Sequence, residues 1–146
     1  MIRRDPVGPV AAISPWNYPL MMAVWKLAAP LAAGCPVVLK PSELTPLSTL
    51  RLAALLADVV PRGMVQVLHG RGPTIGDRMN NAPEVEAISV TGSPATGQAA
   101  MRAASQQIRH IHLELGGKAK VIACDDADIE KPVATIRGDA FFNAGQ

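Results

Sequence analysis

Val10-Ala11-Ala12-Ile13-Ser14-Pro15-Trp16-Asn17-Tyr18-Pro19 passes from a short aliphatic run, through a polar turn, to a proline that heads helical sequence over residues 19–33. The same alternation recurs along the chain. Aliphatic runs at 37–39, 65–68, 87–90, 111–115 and 121–123 are separated by stretches with helical spacing or good helix formers. Thr45-Pro46 reads as a cap followed by proline at the first helical position, opening an apolar stripe that ends at Pro61. Alanine-rich residues 94–107 predict a further helix, and Asp128 opens another towards Ala140. The aliphatic runs read as strands that do not alternate polar with apolar, as expected of strands covered on both faces. The repeated strand–helix order therefore predicts an α/β fold, a Rossmann-like parallel sheet with helices on both faces.

Composition bounds the function. The chain has 146 residues, 49% hydrophobic and 18% charged, with a formal charge of +2, which suits one domain or a large piece of one and excludes a wholly disordered chain. The longest basic run is Arg3-Arg4, so there is no electrostatic footprint for nucleic acid. Cys35 and Cys124 form neither a disulfide framework nor a C-x-x-C pair, which places the chain by default in a reducing compartment; both read as small apolar packing residues. No apolar segment directly follows the charged start, as a secretory signal would require. The most apolar stretch, residues 18–39, is broken by Lys26, Pro30, Gly34 and Pro36, short of the about 20 apolar residues of a membrane helix. A soluble, cytoplasmic protein is expected. The end, Phe141-Phe142-Asn143-Ala144-Gly145-Gln146, stops in mid-pattern and reads as cut.

In an open parallel sheet, ligands bind beyond the carboxyl ends of the strands, where exposed helix N–H groups attract anions. The turns that follow the strands are therefore the places to look for chemistry. Gly92 to Gly97 spells G-x-x-x-x-G at a helix start, which suits phosphate binding and an ordinary capped helix equally well. Gly70, Gly72 and Gly76 are spaced one residue longer than the dinucleotide fingerprint. Lys40 and Glu43 read alone as a surface ion pair or cap. Beyond the second strand of a dinucleotide fold, however, a carboxylate such as Glu43 binds ribose hydroxyls and repels a 2′-phosphate, which favours NAD over NADP. Glu114, inside Ile111-His112-Leu113-Glu114-Leu115, is expected to be buried, with its pKa raised towards the range of a general base; the competing reading is an exposed edge carboxylate. Asn17 is either a donor to a developing oxyanion or a turn former. Asp125-Asp126-Ala127-Asp128 lacks the glycine and terminal glutamate of a calcium loop and reads as a helix cap. No metal site is expected, and His69, His110 and His112 are given no role.

Pro15-Trp16-Asn17-Tyr18-Pro19, Lys40-Pro41-Ser42-Glu43, Thr91-Gly92-Ser93, Glu114-Leu115-Gly116-Gly117-Lys118 and Phe142-Asn143-Ala144-Gly145-Gln146 together resemble, in order and spacing, the motifs of the aldehyde dehydrogenase superfamily. The resemblance runs over essentially the whole chain. Residues 1–26 and 125–130 look most like bacterial gamma-aminobutyraldehyde dehydrogenases, with betaine aldehyde dehydrogenases as close relatives. The resemblance implies that Asn17 helps form the oxyanion hole and that Lys40 and Glu43 hold the adenosine ribose with Trp16 nearby. It also implies that Gly72 and Gly76 pack under the adenine, Ser93 meets the pyrophosphate, Glu114 activates water and the Leu115 backbone contacts the nicotinamide end. The family nucleophile is a cysteine two positions beyond the match to Gln146. Residues 1–146 are thus expected to be the NAD-binding part of an aldehyde-oxidising subunit, truncated before its catalytic cysteine and inactive alone. The full-length protein would be a homo-oligomer acting on a small aldehyde. The rival expectation is a non-catalytic nucleotide-binding fragment or pseudoenzyme. Two departures from the family pattern stand out, Pro30 one residue along its helix and Lys120 in place of a common proline.

Overall fold

The computed structural model describes residues 2–3, 5–118 and 120–146. They fall into two compact units, Met1–Gly116 and Gly117–Gln146. In the first, strands β1 (Val10–Ile13), β2 (Val37–Lys40), β3 (Val65–Val67), β4 (Ala87–Gly92) and β5 (His110–Leu115) form one sheet in the order β3-β2-β1-β4-β5. Every pairing is parallel. The intervening helices are α1 (Pro19–Ala32), α2 (Leu47–Leu56), α3 (Asp77–Asn81) and α4 (Pro94–Gln107).

Period-two geometry sends alternate strand residues to opposite faces. Val10, Ala12, Val37 and Leu39 meet Ala23 and Leu27 of α1, with Leu52 and Leu56 of α2 against them. Ala11, Ile88 and Val90 meet Met79 of α3 and Ala100 and Ala104 of α4. The expected two-faced cover is present, which is why β1 and β2 read as unbroken apolar runs. Leu39 and Ile88 are fully buried, each contributing about 1.5–3 kcal/mol.

Several boundaries differ from expectation for local reasons. Thr45 does not cap α2, since its hydroxyl donates to the Trp16 carbonyl at 3.3 Å and Pro46 occupies the cap position. Residues 70–76 are not an open turn: Gly72–Gly76 forms a π-helical turn that runs straight into α3. Pro30 lies inside α1, and the helix continues past it to Ala32.

In the second unit, the expected strand at 121–123 is absent. Its backbone makes no ladder, and Val121 and Ile122 are exposed, so the run lacks both a pairing edge and an apolar cover. Cys124 is exposed rather than packed, whereas Cys35 lies in the core of the first unit as expected. The last helix, α5 (Glu130–Ala140), starts two residues beyond Asp128, whose carboxylate accepts from the Glu130 N–H at 3.3 Å.

Candidate functional site

β1 leads through α1 to β2 on one side, while the crossover from β3 returns to place β4 on the other side of β1. The strand order therefore reverses between β1 and β4, and a crevice opens beyond their carboxyl ends. A cleft of about 860 Å³ lies there. It is lined by Trp16 and Asn17 after β1, by Lys40 and Glu43 at and after β2, and by Gly72 and Gly76 after β3. Ser93 after β4 and Glu114 and Leu115 at the end of β5 complete it, so every site residue expected from the sequence borders one cleft.

Lys40 is the last residue of β2 and is buried. Its stem lies along Gly76, where an added Cβ would come 3.6 Å from Lys40 Cδ. The Lys40 Nζ donates to the Pro41 carbonyl at 3.1 Å and to Glu43 Oε2 at 3.4 Å. The Glu43 carboxyl is held below its ordinary value by its own backbone N–H, and further by Lys40 and Arg71. A carboxylate kept ionised beside a lysine suits a pair of vicinal hydroxyls, the carboxylate accepting and the ammonium donating.

Ser93 is the N-cap of α4, and its hydroxyl accepts from the Thr96 N–H at 3.2 Å. Pro94 has no N–H and that of Thr96 is taken by the cap, which narrows what this helix start offers a phosphate. Of the two readings of Gly92–Gly97, the capped helix start is the one this geometry displays. Gly97 has a separate role. A Cβ there would lie 2.6 Å from both δ-carbons of Leu115, so any other residue would require the Leu115 side chain to move for α4 to seat this closely on the end of β5.

Glu114 is not sheltered as the sequence reading expected. Its side chain is 67% exposed and its Oε1 lies 3.4 Å from His112 Nε2. The reason is the position of β5 at the sheet edge, where residues alternate in exposure. His110, His112 and Glu114 share the face opposite to Ile111 and Leu113, which pack on the α3–α4 side. The signal was present in the sequence as strict alternation from His110 to Glu114. Glu114 also borders a second cavity, a groove of about 810 Å³ on the α1 side that includes Lys26, Ser89 and His112. There the Lys26 Nζ donates to Ser89 Oγ at 2.9 Å, and Ser89 Oγ lies 3.3 Å from His112 Nδ1. Burial pushes the Lys26 ammonium below its ordinary pKa, opposed by the charge of Glu114. Lys26, Ser89 and His112 escaped sequence reasoning, because a contact from a helix to two later strands leaves no local pattern.

Sequence reasoning also missed Ser14 and Asn80. Both line the cleft, both are buried, and Ser14 Oγ and Asn80 Oδ1 have no hydrogen-bond partner. Gly72, Gly76 and Asn80, spaced four apart, would have marked one face had the segment been read as helical. Among the described residues, no group of three or more His, Cys, Asp or Glu could hold a metal, and no helix is long and apolar enough to cross a membrane.

The doubly wound α/β architecture, with its polar turns gathered at the strand-order reversal, defines the class of nucleotide-binding α/β proteins. Comparison with known proteins narrows this. The model of the aldehyde dehydrogenase family matches residues 1–146. Betaine aldehyde dehydrogenase of Hordeum vulgare is 46% identical over 99% of this chain and 29% of its own length. Aminoaldehyde dehydrogenase 1, peroxisomal, of Pisum sativum is 42% identical with the same coverage. The NAD+ complex of an aldehyde dehydrogenase from Bacillus cereus superposes with a TM-score of 0.94 at 43% identity, over 99% of this chain and 30% of that one. The chain belongs to the aldehyde dehydrogenase family, and it spans about three tenths of the length of these relatives.

Proposed function

We propose that residues 1–146 are the coenzyme-binding part of an enzyme that oxidises an aldehyde to its carboxylic acid with NAD, by way of a cysteine thioester. The supporting observation is that the residues implied in binding and catalysis, drawn from the ends of all five strands, border a single cleft at the strand-order reversal. The residues present fit the coenzyme: a carboxylate–lysine pair for ribose hydroxyls, a capped helix start for phosphate, and two buried, unpartnered polar atoms in the walls. When bound, NAD would accept the hydride lost by the aldehyde carbon.

The chain's own residues then divide the work. Glu43 accepts from the adenosine ribose and Lys40 donates to it, with Trp16 alongside. Gly72 and Gly76 leave room for the adenine, Ser93 meets the pyrophosphate and the Leu115 backbone meets the nicotinamide end. Asn17 donates its amide N–H to the carbonyl oxygen as that oxygen gains negative charge. Glu114 takes a proton from the water that releases the acid, leaving the carboxylic acid and a free thiol. Cys35 is buried in the core of the first unit and does not border the cleft, so it is not the proposed nucleophile. An aminoaldehyde substrate accords with the names of the relatives, and a homo-oligomer with the full-length reading.

Calorimetric titration of the 146-residue chain with NAD tests the reading. Saturable binding is expected, with no NADH formed on adding betaine aldehyde. Absence of binding would overturn the cofactor assignment. NADH formation above that of a Glu114→Ala control would show that residues 1–146 hold a nucleophile of their own.

A further inference from the structure

Lys26, Ser89, His112 and Glu114 form a string along the groove on the α1 side. The sheet register makes it. Ser89 of β4 is paired with His112 of β5, and Thr91 with Glu114, so the three members that come from strands fall on one face of the sheet. Lys26 reaches them from α1 and is itself buried.

The chemistry of the four groups fixes the direction of their hydrogen bonds. An ammonium only donates, so Ser89 Oγ accepts from Lys26 Nζ at 2.9 Å. The Ser89 hydroxyl hydrogen is then available to His112 Nδ1, 3.3 Å away. A neutral imidazole that accepts at Nδ1 carries its proton on Nε2, the nitrogen that lies 3.4 Å from Glu114 Oε1. Every donor then points from the cation towards the carboxylate. In the other neutral tautomer a bare Nε2 would face a carboxylate oxygen, acceptor against acceptor. An exposed histidine and glutamate would achieve little as an isolated pair. Here the ring is tied at its far nitrogen, through one hydroxyl, to a buried lysine, so the donor that meets the carboxylate stands in one place.

We propose that His112 is a positioning residue for the reaction, donating from Nε2 to the Glu114 carboxylate and holding it in one rotamer from which it takes a proton from water. This rests on the reading of Glu114 as the general base and adds to it the group that aims that base. Glu114 is largely exposed, and without a holder its side chain would spread over several rotamers and meet the reacting water in only some of them.

The test is NMR of the 146-residue chain at about pH 8, above the ordinary imidazole value of about 6.5. Long-range proton–nitrogen correlation is expected to show His112 with its proton on Nε2 and a bare Nδ1, and the three-bond couplings of Glu114 are expected to report one rotamer. His112→Ala should release Glu114 to rotamer averaging. His112→Gln, which keeps an N–H donor at similar reach, should restore the single rotamer. A proton on Nδ1, averaged couplings in the unmodified chain, couplings unmoved in His112→Ala, or failure of His112→Gln to restore them would each overturn the proposal. His112 is largely exposed, so both variants are expected to fold. Calorimetric titration keeps the proposal apart from the coenzyme reading: His112 does not border the cleft, and His112→Ala is expected to bind NAD within about twofold of the unmodified chain. A loss of about tenfold or more would make His112 part of the coenzyme site and overturn the positioning role. Absence of NAD binding in both chains would overturn the coenzyme reading, while the Glu114 couplings still decide the role of His112.

Discussion

Lys40 and Glu43 show how burial changes the meaning of a common pair. The lysine side chain is 3% exposed and the glutamate 44%, so the ammonium depends on the few acceptors within its reach. Because the Glu43 carboxyl is held below its ordinary value of 4.5, its contribution to stability is present above that pH and is lost as pH falls through the lowered value. Glu43→Gln should therefore be less stable to urea at pH 7 by less than about 1 kcal/mol, the range of exposed ion pairs. The difference should decline as pH falls below 4.5, vanish once pH is under the lowered value, and shrink in high salt; a gap that stays constant across this range would show that Glu43 is not held as described. The pair was legible in the sequence because a strand, its last residue and its turn are local features. The exposure of Glu114 was legible as well, in the alternation of β5, but the apolar neighbours at 111, 113 and 115 suggested burial. The contact of Lys26 with Ser89 was not legible, since 63 residues separate the two.

Among the elements, α4 carries the clearest consequence. Its predicted span, residues 94–107, matches the structure because Ser93, Pro94 and the alanine-rich run fix it locally. The sequence could not show how closely it approaches β5. At Gly97, alanine would add about 1 kcal/mol of helix preference but drive its Cβ into Leu115, an overpacking that costs about 1–3 kcal/mol. Leu115 is half-exposed and can swing aside. Gly97→Ala should thus unfold in urea within about 2 kcal/mol of the parent while binding NAD several-fold more weakly, because moving Leu115 disturbs the contact proposed for its backbone with the nicotinamide end. Unchanged affinity would separate Leu115 from the coenzyme. The π-helical turn at 72–76 was missed because two glycines and a proline are the composition of a loop, and only the ends of β1 and β2 beneath Gly76 give it a surface to lie on.

At the scale of the whole molecule, the sheet was legible because each strand–helix unit repeats one pattern, and five repeats leave little choice of architecture. The strand at 121–123 was not, because its apolar composition says nothing about a partner edge. The two units should differ in protection. β1 and β4 are paired on both edges in the first unit, whereas no residue of α5 is buried. Amide hydrogen exchange should leave Ala11, Ala12 and Ile88 protected far longer than the amides of α5. Equal protection would mean that α5 has a cover its exposure does not reveal. One feature of the sheet edge reaches further than stability. Glu114 stands as a party wall, with the cleft beyond the strand ends on one side and the Lys26–His112 gallery on the other. Under the proposed reading, a guest that fills the first room still leaves the carboxylate bordering the second, where water has its own way in.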